Sequence, residues 1–124
     1  MEFKIDTKPT YVQITPITNH ADANLTVALS QKCKELTESG SDNFVIDLHN
    51  CLDADNAALS NLADMHAGLY NNNQSLVFTN VQLEVLNALK QTEIDSVINI
   101  APTTIEAVDI ISMEILERDL FGEE

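Results

Sequence analysis

Short apolar runs with strand character alternate with amphipathic segments of helical length along this chain, and this alternation limits the possible folds more than any other feature. "NFVIDL" (43–48) and "SLVFTN" (75–80) are bounded by turn residues and predict buried strands. "SVINI" (96–100) predicts a last short strand. Strands that alternate with helices favour parallel crossover connections. The element order ββαβαβαβα therefore predicts an α/β fold.

The N-terminal part has a different pattern. "EFKIDT" and "TYVQITP" each alternate as strands do, and the turn signal "KP" separates them, which predicts a β-hairpin over Glu2–Pro16. With 124 residues the chain is long enough for one domain with a real core. We therefore expect a single domain over residues 1–124, with a mixed sheet, this hairpin and about four helices, and an acidic end that frays over 117–124.

Four segments have the periodicity of amphipathic helices. Asp22 or Asn24 is a candidate cap for the first helix, and Asp55 or Asn56 for the second, because short polar side chains accept hydrogen bonds from the free N–H groups of a helix start. The residues predicted to face the core are Leu25, Leu29, Cys33 and Leu36 in the first helix, Leu59, Leu62, His66 and Leu69 in the second, and Val81, Val85 and Leu89 in the third. The last helix has Thr103 or Thr104 as its cap, with Glu106 in reach of a capping box.

The charge balance is strongly acidic. Six basic residues face 20 acidic ones, for a formal net charge of −14, and no Lys or Arg occurs over 35–89. Such a surface repels phosphate backbones and anionic lipid, so we expect no nucleic-acid or membrane partner and favour a protein partner with a basic face. The acids near the C-terminus are read as a solubilising end: Glu114, Glu117, Asp119, Glu123 and Glu124. The alternative is a contact for a basic partner, with Leu120 and Phe121 as a small apolar anchor.

The N-terminus lacks a basic segment followed by an apolar one, and no apolar run approaches the roughly 18 residues that a membrane helix needs. Cys33 and Cys51 do not have CxxC spacing and are interpreted as reduced thiols. These features predict a cytoplasmic protein.

Signatures of enzymes are missing from the sequence. Three glycines cannot build a phosphate-binding loop, and neither G-x-S-x-G nor H-E-x-x-H occurs, so we predict neither catalysis nor a cofactor. His49, Cys51 and Asp53 would share one face if the strand continued through them, as a metal site requires. The preferred interpretation is a strand end with a buried cysteine and a turn aspartate. His66 is interpreted as a packed histidine, and His20 as a loop residue without a specific role.

The segment "HNCLDADNAALSNL" (49–62) and the sequence around it resemble the STAS domain family, the fold of bacterial anti-sigma factor antagonists. The family pattern is a strand, then D-S-S-G-L, a helix, a strand, a helix and a short strand. From Ile46 to Ile100 the chain is similar to this pattern, in the segments "IDLHNCLDADNAALSNL", "SLVFTNVQLEVLNAL" and "IDSVINIAPTTIEAV". The ending "PTTIEAVDIISMEILERDL" also resembles the tail of one group of small stand-alone STAS proteins. The resemblance implies a β-sheet core with helices packed on it.

In that family the first serine of D-S-S-G lies at a helix start and is phosphorylated by a cognate anti-sigma kinase. The resemblance places Asp55 at the aspartate, Asn56 at the phosphoacceptor serine, Ala57 at the second serine and Ala58 at the glycine. An amide cannot accept a phosphoryl group, so the usual switch is predicted to be absent. Ser60 and Ser75 are possible substitute acceptors, although we interpret them as ordinary serines.

The resemblance implies a non-catalytic module that binds an anti-sigma factor with a kinase-like ATPase fold. The loop 49–55 and the following helix start would form the contact, with Asp53, Asp55 and Asn56 as polar contacts and with Ala57 and Ala58 beside them. Two alternatives stay open. One is a degenerate STAS scaffold or dimerisation module in another signalling assembly, and the other is a small-ligand or metal sensor that uses His49 and Cys51.

Overall fold

The computed structural model describes residues 2–121. Its strands are β1 (Phe3–Thr7), β2 (Val12–Pro16), β3 (His20–Ala21), β4 (Asn43–Asp47), β5 (Asp53–Ala54), β6 (Ser75–Thr79) and β7 (Ile100–Ala101). Its α-helices are α1 (Ala23–Glu38), α2 (Asn56–Asn71), α3 (Leu83–Gln91) and α4 (Thr104–Phe121), and a 3₁₀ turn covers Ile94–Ser96.

Five strands form one mixed sheet in the order β1-β2-β4-β6-β7. β1 runs antiparallel to β2, with Ile5 opposite Ile14, and every other neighbour in this sheet is parallel. The predicted N-terminal hairpin and mixed α/β sheet are therefore confirmed. The parallel strands direct their carboxyl ends to one edge, where an α/β sheet usually places a binding site.

The helices cover the two faces of the sheet unequally. Side chains of α1, α2 and α3 pack on one face in the larger core cluster, which includes Leu29, Leu59 and Leu89 against Phe44 and Phe78. The opposite face is covered by α4, in the smaller cluster of Val45, Val77, Ala101, Ala107 and Ile111. The side of α4 that faces away from the sheet consequently has no further layer over it within residues 2–121.

Local chemistry explains where the helices begin and end. Asp22 caps α1, with its carboxylate accepting the Leu25 N–H at 2.9 Å, which decides between the two caps predicted from the sequence. After α1 the chain turns at Gly40, whose φ of +105° lies in the left-handed region that glycine adopts without strain. At the start of α4, the Thr103 hydroxyl accepts the Glu106 N–H at 3.3 Å.

One prediction about the later part of the chain was wrong in detail. The strand predicted at 96–100 begins only at Ile100, where β7 starts to pair with β6, because Glu93 adopts a left-handed φ of +61° and the chain then forms a 3₁₀ turn. α4 continues to Phe121, and within it Arg118 donates to Ser75 Oγ and Asn43 Oδ1, both at 2.7 Å, whereas fraying over 117–124 stays a prediction. Glu123 and Glu124 lie outside the described residues.

Within residues 2–121, no helix combines the length and the apolar character needed to cross a bilayer.

Candidate functional site

The candidate site is the loop of residues 48–55, which leaves the carboxyl end of β4 and leads into α2. Asp47 fixes its start, because the carboxylate Oδ1 accepts the backbone N–H of His49 at 3.0 Å and lies 2.9 Å from the ring Nδ1 of that residue. Gln82, which precedes α3, donates its side-chain amide to the His49 carbonyl at 2.7 Å. The loop is thus tied to the sheet and to the neighbouring helix.

A second set of hydrogen bonds connects the loop to the segment that precedes α1. β3 and β5 pair in parallel, with His20 opposite Asp53. The N–H groups of Leu52 and Asp55 extend this pairing to carbonyls of the 17–21 segment, at 2.8 and 3.0 Å. Backbone hydrogen bonds from the 17–21 segment and the side-chain amide of Gln82 restrain the loop from both sides, so its exposed side chains project from an ordered backbone.

The side chain of His20 joins two carboxylates of the loop. Its Nδ1 hydrogen-bonds to the Asp53 carboxylate, and its Nε2 lies 3.9 Å from Asp55 Oδ2. The hydrogen bond to Asp53 raises the pKa of His20 above its usual value, and the nearby negative charges of Asp53 and Asp55 add to the effect. The sequence analysis missed this role, because 33 residues separate the partners and no local pattern joins them.

The start of α2 presents the remaining predicted contact residues. Asp55 is the N-cap, and its carboxylate accepts the Ala58 N–H at 2.8 Å. Asn56 and Ala57 are exposed in the first turn. The Ala58 side chain is 0% exposed because it packs into the larger core cluster, and its place in a partner-binding surface stays a prediction.

The residues of the metal alternative do not come together. The His49 ring lies against Asp47, the Cys51 thiol is buried in the core, and the Asp53 carboxylate turns to His20. Burial also raises the pKa of Cys51 to about 11, which opposes the thiolate form that a metal ligand needs. Over residues 2–121, no group of three or more His, Cys, Asp or Glu side chains has the geometry of a metal site.

Three other residues considered in the sequence, His66, Ser75 and Ser60, lie outside the 48–55 loop. His66 accepts the Asn99 N–H at 3.1 Å, and burial lowers its pKa, as expected of a packed histidine. Ser75 is fully buried and accepts a hydrogen bond from Arg118, so its hydroxyl is not accessible to a kinase. Ser60 is exposed on α2.

Comparisons with known proteins support the fold. No protein-family model matches the sequence, and no curated protein matches it. The protein TM1081 from Thermotoga maritima superposes with a TM-score of 0.77 at 13% identity, over 90% of each chain. An anti-sigma factor antagonist from Mycobacterium paratuberculosis superposes with a TM-score of 0.74 at 15% identity, over 90% of this chain and 93% of that one.

The antagonist SpoIIAA of Bacillus is also similar in structure. Its unphosphorylated form superposes with a TM-score of 0.69 at 12% identity, over 90% of this chain and 96% of that one. Identities this low establish the fold and not the activity. The chain therefore has the STAS fold of the anti-sigma factor antagonists, as the sequence resemblance implied.

Proposed function

We propose that this chain is a non-catalytic protein-binding module that acts as an anti-sigma factor antagonist in the cytoplasm. The observation that supports this proposal most directly is the ordered, exposed junction between the 48–55 loop and α2, in a chain with the fold of such antagonists. The partner is an anti-sigma factor with a kinase-like ATPase fold. Asp53, Asn56 and Ala57 form the contact surface, and Asp55 shapes it as the helix cap.

Electrostatics favours a partner with a basic surface at this junction. Asp53 and Asp55 are exposed, and the net charge of the chain is −14. The His20 ring is the one group close to these carboxylates that can become cationic among the described ion pairs. A basic patch on the partner would gain both attraction at the contact and a faster association rate.

The proposed antagonist is not switched by phosphorylation at the helix start. The fold neighbour SpoIIAA has been solved in a phosphorylated form, so a protein of this fold can carry that modification. Asn56 occupies the first position of α2 and has an amide where a phosphoacceptor needs a hydroxyl. Binding is therefore permanent unless another residue is modified, and abundance sets the activity of the protein.

Affinity capture from the lysate of the native cell, followed by mass spectrometry of the captured proteins and of the bait, tests the proposal. Recovery of a kinase-fold anti-sigma factor on an unmodified bait would support it. Asp53→Lys and Asn56→Lys should each abolish capture. The matched control for Asp53→Lys is Asp64→Lys, which makes the same charge change at an exposed position further along α2, and Asn56→Lys makes a smaller one.

Two outcomes would count against the proposal. Equal capture by the wild type, Asp53→Lys and Asn56→Lys would show that the loop is not the contact surface. A phosphate on Ser60 would show that the switch had moved by one helical turn instead of being lost. Asp55→Lys is not a clean probe, because this substitution also removes the cap of α2.

A further inference from the structure

The outward face of α4 has a row of large apolar side chains in solvent. Ile105, Met113, Leu116 and Leu120 are between 58% and 76% exposed. Their spacing places them on one side of the helix, opposite the core-facing residues Ala107 and Ile111. We call this row the α4 stripe. A single exposed apolar side chain is ordinary. Here Met113, Leu116 and Leu120 follow one another along the stripe, and the exposed Asp109 separates Ile105 from them. Several large apolar side chains on one side of a helix are the usual mark of a contact surface.

The neighbouring surface on the same side of the sheet has ordinary polar character. On β1 and β2, the side chains opposite the core-facing Ile5 and Ile14 are polar, and they include Lys4, Asp6 and Gln13. Lys4 and Asp6 lie 3.9 Å apart as an exposed ion pair. The apolar character is thus particular to α4 and not a general property of that side of the molecule.

The charges beside the α4 stripe all have the same sign. Glu106, Asp109, Glu117 and Asp119 are exposed on α4. The single cation of the helix, Arg118, turns toward the sheet and donates both of its described hydrogen bonds to Ser75 and Asn43. The surface that α4 offers to a partner is therefore a row of apolar side chains bordered by carboxylates.

We propose that the α4 stripe is a second docking surface, which binds a helical segment of another protein with large apolar side chains on one face and Lys or Arg beside them. Lysine and arginine flanks would pair with the carboxylates while the apolar faces come together. A second copy of this chain is a poor occupant. It would set the same carboxylates against one another, with a net charge of −14 on each copy.

This surface is independent of the 48–55 loop. α4 lies on one face of the sheet, and α2, which begins at the loop, lies on the other. Both partners could therefore be bound at once, and the chain would connect them.

Selection from a phage-displayed library of random helix-forming peptides tests the proposal. The bait is the whole chain, and a Met113→Gln/Leu116→Gln double variant serves for counter-selection. The recovered peptides should carry a net positive charge and one apolar face. Their affinity for the double variant should fall about tenfold or more, because two apolar anchors lose their contact area. Added salt should weaken the binding to the wild type.

Val27→Gln is the matched control, since Val27 is 64% exposed on α1, away from the stripe, and this variant should bind the peptides as the wild type does. Circular dichroism verifies that each variant is folded. The proposal is overturned if no peptide is enriched, if the enriched peptides lack basic residues, or if they bind the double variant equally well. Sedimentation showing a wild-type dimer that the double variant disrupts would assign the stripe to a second copy and also overturn it. Asp53→Lys should leave peptide binding unchanged, so this test and the test of the proposed function fail separately.

Discussion

Replacement of the helix cap Asp55 by alanine should destabilise the domain by about 1–2 kcal/mol. The carboxylate accepts the Ala58 N–H at 2.8 Å, and alanine has no acceptor to offer. Loss of an N-cap of this kind costs about 0.5–2 kcal/mol. We expect the upper part of that range, since Ala58 is fully buried and water cannot readily reach its N–H. Relief of repulsion in a chain of net charge −14 offsets a few tenths of a kcal/mol of this loss.

Urea unfolding followed by far-UV circular dichroism measures the effect, since the chain contains no tryptophan for fluorescence. A slope of about 1–2 kcal/mol per molar urea converts the expected loss into a midpoint that is lower by roughly 1 M. Asp55→Ser keeps an acceptor and should stay within about 0.5 kcal/mol of the wild type. Asp53→Ala removes the same charge from an exposed side chain without a capping bond. Measured at a pH above the raised folded-state pKa of His20, where the His20–Asp53 pair no longer adds stability, it should also stay within about 0.5 kcal/mol.

The comparison of the two alanine variants decides whether the reasoning holds. If Asp55→Ala is no more destabilising than Asp53→Ala, the capping bond does not stabilise α2 and the argument is refuted. If the expected difference is found, Asp55→Ser becomes the appropriate variant for binding experiments at this position. It removes the charge that a basic partner would contact while it preserves the helix start.

Three further predictions concern other parts of the structure. Arg118→Met should lower the free energy of unfolding, measured in urea, by about 2–4 kcal/mol, because both charge-assisted hydrogen bonds of Arg118 are lost. Lys90→Met makes the same charge change at an exposed position and should lower it by less than about 0.5 kcal/mol. In an NMR titration His20 should have a higher midpoint than His66, and Asp53→Asn should move the His20 midpoint back toward 6.5. Since the folded-state pKa of His20 is raised, the stabilisation from the His20–Asp53 pair is present below pH 6.5 and disappears as the pH rises through the folded-state pKa. Both cysteines are buried, and burial raises the pKa of Cys51 to about 11, so neither thiol should react with Ellman's reagent at neutral pH until the protein unfolds.

The order of the elements could be predicted because each of them has a local signature. Period-two and period-3.6 patterns result from the geometry of a single strand or helix, and short polar caps mark helix starts independently of the rest of the fold. The cap at Asp22 and the buried strand at 43–47 are examples. For the same reason the α/β fold class could be predicted from the alternation of strands and helices alone.

Features that depend on contacts distant in sequence could not be predicted. The β3–β5 pair consists of two residues on each strand, which is too short to give a periodic pattern. His20 has its role only because that pairing sets it opposite Asp53. The segment 96–100 has strand-like composition, but the left-handed backbone at Glu93 and the following 3₁₀ turn delay the strand until Ile100. Tertiary context overrides propensity at such positions.

The last helix shows how a pattern without clear amphipathicity can itself be informative. "AVDIISMEILERDLF" has apolar residues on every side of the helix, which is expected of a helix buried all round. In this fold α4 is an outer layer, so the sheet can cover one of its sides and not the other. The apolar side chains that the sheet does not reach, such as Leu116 and Leu120, stay more than half exposed in the isolated chain, and burial against a second protein would account for them.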